Sequence, residues 1–325
     1  MSSKTDPKLC LRCGRCLLVC PAFQLSLRED LSPRGKWMIL NQCPENTQVF
    51  SLCLSCERCA QVCTQQLNFA QAKAEHLTKT SNFSLLNSGL NLALTSLGTK
   101  LAQFLANRPP YRPYFELRAR EVPPLAPVVI FPGCLGRSFS HLEPILKSFL
   151  TTLGITVLDT PNWQCCGHPF VLAGKKDQGL EFQLVNQKIW EKLNQPLVVS
   201  FCSTCTKGLG QFLPQSKIML ADHLLNFVEI ALLEPKASIF VHSSCHCQED
   251  LSAIWPIPVL KNCCGAFAKT GQNLAKAVNT YFWEQIPGDS ILFTNCLGCL
   301  IKLKLTGPKE VKVSHWLEHI AFKGR

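Results

Sequence analysis

The run Cys10-Leu11-Arg12-Cys13-Gly14-Arg15-Cys16-Leu17-Leu18-Val19-Cys20-Pro21 decides how this chain is read. Three cysteines follow at two-residue gaps, a fourth comes after three residues, and proline stands behind it. Cys53, Cys56, Cys59 and Cys63 repeat the spacing, with Thr64 in the proline position. Runs of this kind hold cubane iron–sulfur clusters, soft-ligand cages whose three closely spaced thiolates come from one run and whose fourth comes from the other. The expected sets are therefore Cys10, Cys13, Cys16 and Cys63 for one cubane, and Cys53, Cys56, Cys59 and Cys20 for the second. Two structural zincs or a disulfide scaffold are the competing readings. Zinc has little use for a three-plus-one run used twice. Disulfides need an oxidising compartment, and the polar start from Met1 to Leu9 has no apolar leader. Cys43 stands outside the pattern and reads as a small buried hydrophobe.

Outward from these runs, the 325 residues leave room for at least two domains at roughly 100–200 residues each. Hydrophobic residues make up 46%, which excludes wholesale disorder. The net charge of +11 is spread thinly: the densest basic run is Lys175-Lys176, and Arg118 and Arg120 sit beside Glu116 and Glu121. That distribution argues against nucleic acid and suits an acidic protein partner or an anionic membrane surface. No segment reads as a spanning helix. The uncharged stretch Thr80–Thr99 holds ten Ser, Thr or Asn among its 20 residues. Phe83, Leu86, Leu90, Leu94, Leu97, Leu101 and Phe104 recur at helical steps, as one apolar face that packs on the chain itself or touches a membrane or partner. Six of the 21 prolines lie between Arg108 and Pro127, an extended linker.

After the linker, strands alternate with helices, the signature of α/β units with parallel pairing. Strands are expected at 128–131, 155–158, 197–201, 238–241, 257–260 and 291–293, and helices at 141–153, 182–193 and 274–282. A cysteine pattern recurs within this part. The first copy is Cys134-x30-Cys165-Cys166-Gly167-x34-Cys202-x2-Cys205, and the second is Cys245-x17-Cys263-Cys264-Gly265-x30-Cys296-x2-Cys299. Cysteines fall just after strands in both copies, and sites in open α/β sheets form beyond strand carboxyl ends. Each copy is therefore expected to gather five thiols at one sheet edge, for an iron–sulfur cluster or a zinc, with Cys247 as a substitute ligand in the second. His168, His242 and His246 read as hydrogen-bonding neighbours of these cysteines, and His315 and His319 as surface residues of a terminal helix. No G-x-G-x-x-G follows a strand and no P-loop occurs, so flavin or nicotinamide belongs on another chain.

Taken together, the paired runs, the Pro33-Arg34-Gly35-Lys36 stretch and the two CCG copies resemble iron–sulfur subunits of glycolate oxidase. They are similar also to the iron–sulfur subunits of heterodisulfide reductase and of anaerobic glycerol-3-phosphate dehydrogenase, and to lactate-utilisation iron–sulfur proteins. The likeness runs from Cys10 to His319. It implies an α+β multidomain chain: an α-helical ferredoxin domain with two 4Fe-4S motifs at 1–80, a helix and Pro-rich linker at 81–127, and CCG domains at 128–235 and 236–325. It implies two [4Fe-4S] clusters, with a further cluster or zinc at the first CCG site. The activity implied is electron transfer from an FAD-binding oxidase subunit that oxidises a 2-hydroxy acid, toward quinone or another acceptor. The chain would be inactive alone and cytoplasmic, with the inner face of the membrane as a candidate docking surface. The alternative is a thiol or heterodisulfide reductase component with its chemistry at the CCG site; a non-redox zinc or scaffold protein is a third reading. The second copy lacks 13 residues between Cys245 and Cys263 relative to the first. A thinner wall admits water, so only the first CCG site is expected to hold a stable cluster.

Overall fold

Short helical turns dominate the first eighty residues because cysteine loops and prolines interrupt every longer run. The computed structural model describes residues 4–80, 104, 111–120, 126–234, 238–247, 250–266 and 273–323. The helical face expected from Phe83 to Leu101, and much of the linker, lie outside the described residues. In the first module, 3-10 turns at Pro7–Leu9, Arg15–Val19 and Thr47–Leu52 deliver the chain to the cysteine loops. Helices at Pro21–Ser26, Pro33–Gln42 and Phe69–Thr80 pack between them. Trp37, Leu40, Val49, Phe50, Leu67, Phe69 and Ala72 form the small core. The helix Pro33–Gln42 starts where Ser32 accepts the Gly35 N–H and proline fills the first turn. Gly35 is required there, because a β-carbon would stand 1.9 Å from the Glu29 carbonyl oxygen.

The segment read as linker contains strand β1, Phe115–Ala119. Beyond it come β2 (Val128–Ile130), β3 (Leu197–Ser200), β4 (Ile218–Leu220) and β5 (Val228–Leu232). The last part supplies β6 (Ile239–His242), β7 (Val259–Leu260), β8 (Ile291–Thr294), β9 (Lys312–His315) and β10 (Ile320–Phe322). Three sheets result among the described residues. One is parallel in the order β2-β3-β4, and another is parallel in the order β7-β6-β8-β9. The expected strand at 155–158 is reduced to a single bridge from Val157 to Val128, on the flank of β2 where β7 flanks β6. The third sheet, β10-β1-β5, pairs β1 parallel with β10 and antiparallel with β5. It joins the ends of both cysteine-bearing halves through one strand. Helices Leu142–Thr152, Lys176–Lys192, Asn273–Glu284 and Leu297–Thr306 cover the parallel sheets.

One continuous core runs through both halves. Phe115, fully buried, sits 5.2 Å from Trp255 and 5.4 Å from Phe293 between ring centroids. Cross-links fix the halves further: Ser203 N–H donates to Asn295 O, and His315 Nε2 lies 2.8 Å from the Phe201 carbonyl. His315 and His319 are thus buried at the end of β9 and in the following 3-10 turn, not on a surface helix. The first module docks on this body through Thr78, whose hydroxyl donates to Gly174 O, and through Gln61, whose amide donates to Cys245 O. Among the described residues no helix is long and apolar enough to cross a membrane.

Candidate metal centres

Left-handed residues curl both loops of the first module. Arg12 and Gly14 have φ 56° and 80° between the first three cysteines, and Ser55 and Glu57 have φ 55° and 57° at the matching places. Side chains on such a loop converge toward its concave face, and two adjoining cavities result. The first, about 430 Å³, is lined by Cys10, Cys13, Cys16, Cys59 and Cys63, so that Cys59 lines both cavities. The second, about 390 Å³, is lined by Cys20, Cys53, Cys56 and Cys59. Cys43 lies in neither and is exposed, not the buried hydrophobe expected, because the helix it caps ends at the surface.

Two buried lysines, unmarked by the spacing argument, brace these loops. Lys36, 2% exposed, donates from Nζ to Leu52 O at 2.8 Å and lines the second cavity. Lys73 donates to Cys53 O at 2.6 Å. Each holds the carbonyl at or beside the start of the second cysteine run, and Lys36 counters the upward pull of burial on the Cys20 thiol. Burial pushes Cys16 up to about 11 and Cys59 well above the usual thiol range. Cys56 is raised first by its hydrogen bond with Cys263 and then by burial.

The CCG cysteines arise from one local design used twice. Cys202 caps the helix Ser203–Leu209 after β3, and Cys296 caps the helix Leu297–Thr306 after β8. Cys205 and Cys299 follow within the first turn. Gly167 and Gly265, at φ 76° and 73°, turn the chain sharply after each cysteine pair. Gly133 admits Cys205, whose sulfur would lie 2.6 Å from a β-carbon there.

The two sets of thiols meet. Cys134 and Cys165 are 3.5 Å apart, and Cys264 and Cys299 are 3.2 Å apart. Thiol contacts continue from Cys165 to Cys166, Cys205, Cys202, Cys296 and Cys299. Cys263 touches both Cys245 and Cys56 of the first module. Two chains of thiol contacts result: one crosses both halves from Cys134 to Cys264, and the other runs from Cys245 through Cys263 to Cys56 at the second cavity, their ends meeting at the adjacent pair Cys263-Cys264. The thin wall expected of the shorter copy is not observed. Cys263, Cys264, Cys296 and Cys299 are 4%, 2%, 1% and 4% exposed, against 3%, 1%, 3% and 6% for Cys165, Cys166, Cys202 and Cys205. The first module, with Leu54 and Cys56 packed on Cys263, covers what the missing residues would have covered. Cys134, Cys245 and Cys247 are half-buried.

The charge balance of this set suits a soft cation. Hydrogen bonds from Cys165 and then Cys205 pull Cys166 down to about 6. Cys202 and Cys299 hold Cys296 well below the ordinary thiol range. Their neighbours are driven the other way: Cys205 first by Cys166, and Cys299 first by Cys264. Thiolates packed this closely cannot all form without positive charge among them, and a bound metal deprotonates coordinating thiols outright. Both cavities and the two thiol chains fit iron–sulfur ligation on that ground. His242 remains a hydrogen-bonding neighbour, between Thr294 Oγ1 at 3.1 Å and Asn262 O at 3.0 Å. Burial pushes it down to about 4. His168 and His246 instead approach Glu57, which sequence reasoning passed over because nothing local marks it.

A module of iron–sulfur cysteine loops joined to a cysteine-rich α/β body defines an iron–sulfur protein of the electron-transfer class. Comparison with known proteins agrees: residues 7–67 match the 4Fe-4S dicluster domain, and residues 128–210 match the cysteine-rich domain named CCG. The chain is homologous to glycolate oxidase iron–sulfur subunits. It is 22% identical to that of Escherichia coli over 96% of this chain and 92% of the relative. It is 24% identical to a probable glycolate oxidase iron–sulfur subunit of Bacillus subtilis, over 66% of this chain and 60% of the relative. An uncharacterised iron–sulfur protein of Methanococcus maripaludis is 26% identical over 79% of this chain, which spans 58% of that protein's length.

Proposed function

We propose that the chain is the iron–sulfur electron-transfer subunit of an FAD-linked 2-hydroxy-acid oxidase of the glycolate type. It accepts electrons from a flavin-bearing partner and passes them toward quinone or another acceptor. The observation that carries this reading is the thiol contact of Cys56 in the first module with Cys263, beside a chain of thiol contacts that crosses both halves of the cysteine-rich body, in a chain similar to glycolate oxidase iron–sulfur subunits. Cubanes held by Cys10, Cys13, Cys16 and Cys63, and by Cys53, Cys56, Cys59 and Cys20, supply one-electron transfer when bound. Lys36 and Lys73 fix the loop that presents Cys53. The equal strand orders flanking β2 and β6 support two cysteine-rich domains, 128–235 and 236–325, after a ferredoxin-like module at 1–80. Segment 81–127 then connects them and lends β1 to the shared sheet. A thiol or heterodisulfide reductase reading needs a substrate sulfur to reach the CCG cysteines, and exposures of 1–6% at eight of the ten weigh against it.

The test is co-expression with an FAD-binding 2-hydroxy-acid oxidase subunit, followed by anaerobic purification. The reading requires a brown complex whose iron–sulfur absorbance bleaches when glycolate or lactate is added. This chain alone should hold at least about eight irons, those of the two cubanes, and give no bleaching. Bleaching by hydroxy acid without a flavin subunit, or iron near zero with stoichiometric zinc, would overturn it.

A further inference from the structure

One residue of the second cysteine loop breaks the symmetry between the two. After Cys13 the chain uses Gly14 at φ 80°, but after Cys56 it uses Glu57 at φ 57°. A side chain in that left-handed conformation is strained relative to glycine. Such strain persists where the surroundings hold it and often marks a working residue. The Glu57 carboxylate is buried at the junction of three segments. Its Oε2 lies 3.0 Å from His168 Nε2 and 3.9 Å from His246 Nε2. One ligand atom from each residue lies within 4.8 Å of the others. His168 follows the first CCG turn and His246 follows Cys245, so each of the three modules contributes one group.

The three are 6%, 4% and 2% exposed. Glu57 Oε2 and His168 Nε2 complete no hydrogen bond despite their closeness. A buried carboxylate 3.0 Å from an imidazole that has no aligned donor is costly unless a cation sits between them. The far sides of two of the groups are held in place. Asn68 donates to Glu57 Oε1 at 2.7 Å, and His246 Nδ1 is 3.1 Å from Thr204 Oγ1. Outer partners of this kind orient metal ligands. A cavity lined by Thr206, Lys207, His246 and Cys247 reaches the site and provides a path of entry.

We propose that Glu57, His168 and His246 form a mononuclear site for a divalent first-row transition ion, zinc or ferrous iron, distinct from the thiol centres. Two imidazoles and one carboxylate are a donor set that both ions use. Ligation here ties the first module to both halves of the cysteine-rich body at a single point.

The experiment uses the full chain, purified anaerobically and incubated with zinc ion before removal of the excess. Zinc, iron and acid-labile sulfide are then counted per chain, before and after incubation. One equivalent of zinc, or of iron in excess over sulfide, is expected before incubation, and one equivalent of zinc after it. The zinc X-ray absorption spectrum should show only nitrogen and oxygen neighbours at about 2.0–2.1 Å. Glu57→Gln and His246→Gln should each lose that equivalent while sulfide content is retained. The wild-type spectrum decides without any variant. A sulfur shell at about 2.3 Å, or no stoichiometric zinc after incubation, overturns the site. So does retention of the equivalent by both variants. Loss of flavin-coupled electron transfer with the zinc site intact would count against the proposed function alone.

Discussion

Single residues decide how this chain holds its charges. Lys36 is buried against the Phe69 ring and faces Cys20 across the second cavity. A cation near a cluster favours the reduced, more negative form. Lys36→Met should therefore lower one midpoint potential by on the order of 60 mV, the one-electron equivalent of about 1.4 kcal/mol, in an anaerobic redox titration. An unchanged potential with full iron content would show that the lysine only braces Leu52. His315 makes a different prediction. Its Nε2–H donates to Phe201 O, its Nδ1 accepts from Leu317 N–H, and burial pushes it down to about 4 from an ordinary 6.5. The folded chain thus binds its neutral form, so its contribution is complete above pH 6.5 and is lost as pH falls toward 4. The loss should be on the order of 3 kcal/mol in denaturant titrations, and His315→Gln should flatten that part of the profile. At this scale the sequence is uneven. The cysteines announce themselves by spacing, and Gly35 and Lys36 by a short stretch. Glu57 and His315 have no local mark, because their partners come from distant segments.

At the scale of elements, β2, β3, β6, β7 and β8 and three of the covering helices were legible because each carries a buried apolar run or a helical face, whereas β4, β9, β10 and the helix Leu297–Thr306 were not expected. β1 and β5 were missed although both alternate, as Phe115-Glu116-Leu117-Arg118-Ala119 and Val228-Glu229-Ile230-Ala231-Leu232. Proline on either side of β1 made its segment read as linker, and only a partner distant in sequence turns an alternating run into a central strand. The strand expected at 155–158 had the right composition, but it pairs only at Val157. The shortened second copy misled for a tertiary reason: its missing wall is replaced by the first module and not by its own chain. Removing Cys263 and Cys264 together should therefore cost as much iron as removing Cys165 and Cys166. Iron and sulfide assays on the two double-alanine variants check this. Loss confined to the 165–166 variant would restore the asymmetry that spacing alone suggests.

Over the whole molecule, the cysteines are most open at the first cavity and most closed in the interior of the cysteine-rich body. Cys13 is exposed at the first cavity, whereas the CCG pairs are closed off. None of this junction could be read in one dimension, since Cys56 meets Cys263 and Glu57 meets His168 only after three modules have docked. Around the exposed end stand Leu11 and Leu18, 66% and 77% exposed, on the loop and turn that carry Cys13 and Cys16. Large apolar side chains left open beside a redox centre are suited to docking on another protein, and a small patch suffices for a transient electron-transfer contact. In the flavin-coupled reading this end receives the electrons. Replacing Leu11 and Leu18 by lysine removes apolar contact at the rim while leaving every thiol in place. Stopped-flow bleaching of the complex with glycolate should slow at least several-fold, while iron, sulfide and midpoint potentials stay as in wild type. A chemical reductant small enough to bypass docking should reduce both proteins at the same rate. Equal rates with glycolate would move electron entry away from this loop, to the half-buried Cys134 at the far end of the longer thiol chain.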